Sequence, residues 1–119
     1  MMRNRTTAPS FSKGELVRPV TGGRVAWRRL TDTERQAWYE QHAEDCRAGR
    51  DTWHDSAGEP RLAPNDTYFD LRTDMTLTVL RARVSAPAGY GRVKDCCEVF
   101  CPNNGETLYV SRHALTNRW

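Results

Sequence analysis

Isoleucine is absent from this 119-residue chain, and lysine occurs only twice, at Lys13 and Lys94. Leu, Val and Phe together supply 19 residues, close to the range in which chains cannot bury enough apolar surface to fold. Four Trp and four Tyr offset that deficit and the net charge is only +3, so the composition predicts one small folded domain with a partly aromatic core. No apolar run approaches the roughly 18 residues of a membrane span. Met1 to Ser12 contains no apolar stretch of a secretory signal, so the expected location is cytoplasmic, with reduced thiols.

A C-x-x-C pair is also missing. Cys96, Cys97 and Cys101, with His113 or His54, present the residue types of a zinc site. Their spacing argues against one. Adjacent residues of a strand point to opposite faces, and Cys97 and Cys101 would lie about 13 Å apart along it. The expectation is buried thiols, with no metal and no cofactor. A cysteine nucleophile would need a base and an orienting group, and His113 or the His54-Asp55 pair offers too little. No enzymatic activity is expected.

Residues 1–10 read as a flexible basic arm and 117–119 as a tail. Phe11 to Val20 predicts a first strand, followed by a Thr21-Gly22-Gly23 turn. Thr31 and Glu34 have the spacing of a capping box, and Gly49 marks a helix stop, which predicts a helix from Asp32 to Ala48. Trp38, His42 and Cys46 recur every four residues and are expected to form its buried face, with Trp27 and Trp53 sealing it. Residues 51–65 read as a loop. Tyr68–Leu71, Met75–Val84, Val93–Cys101 and Glu106–Val110 read as strands, Ala86–Gly91 as a loop, and Ser111–Leu115 as a closing turn.

Lys13-Gly14-Glu15-Leu16-Val17-Arg18 and Thr21-Gly22-Gly23, followed by Leu77-Thr78-Val79, Cys96 to Phe100 and Tyr109 to Leu115, resemble the YodC-like family of small bacterial proteins. The likeness covers residues 11–23 and 75–116. It implies a mainly β protein with one helix (α+β): a small SH3-like antiparallel barrel over 11–116, with an inserted α-helix and a helical insertion at about 24–74. It implies no particular activity.

Charge is unevenly distributed. Residues 1–29 carry seven basic groups against one acid, 30–80 five against eleven, and 81–119 six against three. The leading expectation is therefore a non-enzymatic binding or adaptor protein engaging a protein or nucleic-acid partner. Its basic patch would be Arg24, Arg28, Arg29, Arg81, Arg83 and Arg92; its acidic insertion Asp32, Glu34, Glu40, Glu44 and Asp45. The alternatives are a phage or mobile-element accessory protein that blocks a host restriction or CRISPR complex, and a cysteine-dependent enzyme. A further reading has the acids fold back onto the arginines and neutralise them within the molecule.

Overall fold

The computed structural model describes residues 10–49 and 62–119. The strands in chain order are β1 (Leu16–Pro19), β2 (Gly23–Arg29), β3 (Asp66–Leu71), β4 (Leu77–Ala88), β5 (Gly91–Cys101), β6 (Glu106–Ser111) and β7 (Leu115–Thr116). One helix, α1 (Asp32–Arg47), lies between β2 and β3, and a 3-10 turn (Arg112–Ala114) precedes β7. The strands form one seven-stranded sheet in the order β3-β2-β6-β5-β4-β1-β7, with every pairing antiparallel among the described residues.

The sheet is not closed, which overturns the expected SH3-like barrel. The physical reason lies in β2, a segment read from the sequence as part of the helical insertion. Three arginines mask its alternation, yet Ala26 and Trp27 are both buried, on opposite faces. β2 pairs with β6 through Ala26–Val110 and Trp27–Tyr109 and carries β3 on its other side. That edge of β6 is thus taken by two added strands, which leave β3 and β7 as separate edges.

The main core lies on one face, where Val79, Val99, Leu108, Val110, Leu77 and Leu115 are almost wholly buried. Burying each such side chain stabilises the fold by about 1.5–3 kcal/mol. Cys97 and Cys101 belong to this core, and Cys96 faces a second cluster with Trp27 and Ala86. The three thiols are buried, as the sequence suggested.

The expected loop at Ala86–Gly91 is strand almost throughout. Ala88 pairs with Gly91, and only Gly89 and Tyr90 turn between β4 and β5. Gly89 has φ +58°, and a positive angle at the first central position is what a type II′ hairpin turn requires. Pro87 brings no N–H to the ladder, but its carbonyl accepts the Trp27 indole N–H at 2.9 Å. The β4–β5 pairing shifts register three times. At the last shift Lys94 and Asp95 oppose Ser85 alone, and Asp95 takes φ +59°, an angle aspartate tolerates better than most residues.

The helix ends match the sequence. Glu34 N–H donates to Thr31 Oγ1 at 3.1 Å and Thr31 N–H to Glu34 Oε1 at 2.8 Å, and Gly49 with φ +82° lies just beyond the last turn. Its expected buried face is corrected: among the described residues none of α1 is buried, and Cys46 is exposed. The helix has too few apolar side chains to compete for a sheet face. Trp38 instead stacks on His42 at 3.6 Å and meets the Tyr39 ring edge-on, while Trp27 seals the second cluster rather than the helix. Residues 1–9, which include most of the expected arm, and Trp53 and His54-Asp55 lie outside the described residues.

Candidate binding surface

The six arginines of the expected basic patch do not form one surface. Arg24 pairs with Asp70 at 3.5 Å. Arg28 lies between Glu34 and Glu106, at 2.6 and 2.8 Å, and over the Phe69 ring at 5.5 Å. Arg29 pairs with the buried carboxylate of Asp66 at 3.1 Å. Each of these β2 arginines thus has an acid from the 30–80 segment. The acids do fold back here, and β2 is electrostatically satisfied.

Arg28 and Glu34 reinforce each other. Glu34, with help from Glu106, raises the Arg28 guanidinium above its usual range. Arg28, with the Thr31 N–H, holds the Glu34 carboxyl down at about 2. Of the acidic insertion, Glu34 is therefore committed to β2. Glu44 pairs with Arg47 at 2.7 Å, Glu40 accepts from Gln36 and Asp45 from Gln41. Asp32 and Glu40 line a shallow groove on the outer side of the helix with Gln36.

The remaining arginines lie on the β4–β5 hairpin, divided between its faces. Arg81 pairs with Glu98 at 2.7 Å on the face of Tyr109, and Glu98 raises its already high pKa. Arg83 and Arg92 take the opposite face, because Val84 and Ala86 between them point into the second cluster. There Arg83, Ser85, Lys94 and Asp95 line an open cleft. Arg92 Nε donates to Ser85 Oγ at 3.0 Å, and Arg92 Nη2 donates to the Ser85 carbonyl. Asp95 lies 3.9 Å from Arg83 and 3.5 Å from the buried Arg112.

Arg83 and Arg112 thus share one carboxylate, Lys94 lines the same cleft, and among the described residues neither Arg92 nor Lys94 pairs with an acid. Lys94, Asp95 and Arg112 were missed in the sequence. The local string Arg92-Val93-Lys94-Asp95 is the signal for the first two, with a bulge that no periodicity reveals, and Arg112 has none.

The tip of this hairpin is held rigidly. The buried Asp66 carboxylate accepts the Gly89 N–H at 2.7 Å, and Arg29 donates to the Gly89 carbonyl at 2.7 Å. Tyr90 stands beside this clamp at 92% exposure.

Among the described residues no comparable cluster surrounds the cysteines. His113 is exposed while Cys96, Cys97 and Cys101 are buried. Burial pushes the Cys97 thiol up to about 11 and raises Cys96 as well, so neither is poised as a thiolate. Among the described residues no group of three His, Cys, Asp or Glu side chains could hold a metal ion, and no helix is long and apolar enough to cross a membrane. In comparison with known proteins, no family model, no curated protein and no solved structure matches this chain.

Proposed function

We propose that this is a binding protein rather than an enzyme, and that the outer β4–β5 hairpin engages an anionic partner. One observation carries the reading: Arg83 and Lys94 line an open cleft in which Asp95 is the one acid among the lining residues, and Arg92 is held on Ser85 of the same cleft. Arginine and lysine so placed offer forked and point-like donors to phosphate or carboxylate oxygens. The Ser85 contacts hold the Arg92 guanidinium in place, which lowers the ordering cost of binding.

Retention on heparin-agarose tests this reading. The wild-type protein is expected to bind at low salt and elute at moderate salt, whereas the Arg83→Glu, Arg92→Glu double variant passes through. Equal retention of the two would overturn it.

The helix supports a second reading. Its outer groove beside Asp32 and Glu40 suits a basic protein surface, as a blocker of a nucleic-acid-directed defence complex would need. Reversing Asp32 and Glu40 to lysine would then abolish inhibition of such a complex while leaving heparin retention intact.

A further inference from the structure

We infer that the anionic partner is a single-stranded nucleic acid, with a base stacked on Tyr90 and the adjoining phosphates held by Arg92, Lys94 and Arg83. This rests on the hairpin-binding reading above and assigns its ligand class.

The cleft alone accepts any oxyanion; the tip narrows the choice. Tyr90 exposes 92% of its surface on a two-residue turn that Asp66 and Arg29 clamp through Gly89. A ring so placed contributes nothing to the core, yet its backbone is fixed before any ligand arrives. An acidic peptide would satisfy the cations and leave the ring in water. A nucleic acid strand alternates flat π-faces with anionic groups, and the hairpin sets Tyr90 at its turn with Arg92 and Lys94 on the strand that follows, one two-residue step of about 6.6 Å apart. In a duplex those base faces are already stacked on one another, so a single strand fits the exposed ring better.

Fluorescence anisotropy on the full chain tests the inference with three labelled probes: an oligothymidylate of about twelve nucleotides, an abasic oligomer of the same length, and polyglutamate. The oligothymidylate is expected to bind tightest, with a log–log salt slope near −2, about −0.7 for each of three phosphates. Tyr90→Ala should weaken it about tenfold and leave the abasic oligomer unchanged, while Tyr90→Phe retains binding. Arg92→Glu with Lys94→Glu should abolish binding of every probe. All three side chains are exposed, and thermal melts matching the wild type would verify that the variants fold. If all probes bind alike and Tyr90→Ala changes nothing, or polyglutamate binds tightest, the nucleic-acid assignment fails and the anion-binding reading stands. If no probe binds, both fail.

Discussion

Glu34 uses one carboxylate for two tasks: Oε1 accepts the Thr31 N–H that closes the capping box, and Oε1 and Oε2 accept Arg28 Nη1 and Nη2 at 2.6 and 2.8 Å. The residue that starts α1 is thereby the residue that joins it to β2. Tyr39 adds a second tie, its hydroxyl accepting the Ala63 N–H at 3.2 Å.

Arg28→Ala should destabilise the protein by about 1–3 kcal/mol in urea unfolding, since it removes charge-assisted hydrogen bonds to Glu34 and Glu106. Partial exposure of Glu34 favours the lower half of that range. Glu34→Gln should cost less, because glutamine still completes the capping box.

Acid should release the same contact. The folded Glu34 pKa of about 2 lies below its ordinary 4.5, so its stabilisation is complete above about pH 4.5 and is lost as pH falls towards 2. Glu15 contributes with the same sign, held low by Asn117 and the Ser12 N–H. Far-ultraviolet circular dichroism and denaturant midpoints measured across that window should show the loss, and Glu34→Gln should flatten it.

Native alkylation should modify one cysteine of four. Cys46 is exposed, whereas Cys96, Cys97 and Cys101 are buried, with the Cys97 Sγ donating to the Ala82 carbonyl at 3.2 Å. Mass spectrometry after a short iodoacetamide pulse should find one adduct, and four once the protein is unfolded. Rapid labelling of Cys97 in the native state would contradict its position in the core.

Asp66→Ala should loosen the hairpin tip. The half-buried Gly89 N–H loses its acceptor, and the partly exposed Arg29 loses the buried carboxylate that balances its charge. Hydrogen exchange at Gly89 should accelerate well beyond the change at Val99, in the centre of β5. Trp27→Phe should act in the same direction, by removing the donor to the Pro87 carbonyl.

Local chemistry was legible in the sequence and long-range pairing was not. The Thr31–Glu34 box and the Gly49 stop depend on neighbours a few residues away. β2 was hidden because Arg24, Arg28 and Arg29 have partners up to 78 residues distant, and a strand whose charges are neutralised in the fold looks like a solvated segment beforehand. The helix misled for the opposite reason. A four-residue aromatic spacing implies burial only if a complementary apolar surface is available, and Trp38 met His42 instead. On the surface, the sequence pointed to Arg83 and Arg92 but grouped them with arginines that the fold neutralises or turns to another face.

Three consecutive residues of β2 reach three different anchors: Trp27 to Pro87, Arg28 to Glu34 and Glu106, Arg29 to Asp66 and Gly89. Mechanically, β2 is the shared mount of the hairpin tip and the helix. A pull on the tip loads Trp27 and Arg29, and the residue between them carries that load to the first turn of α1. Cargo held at Tyr90 would therefore strain the helix anchorage, although helix and tip belong to segments more than forty residues apart in the chain.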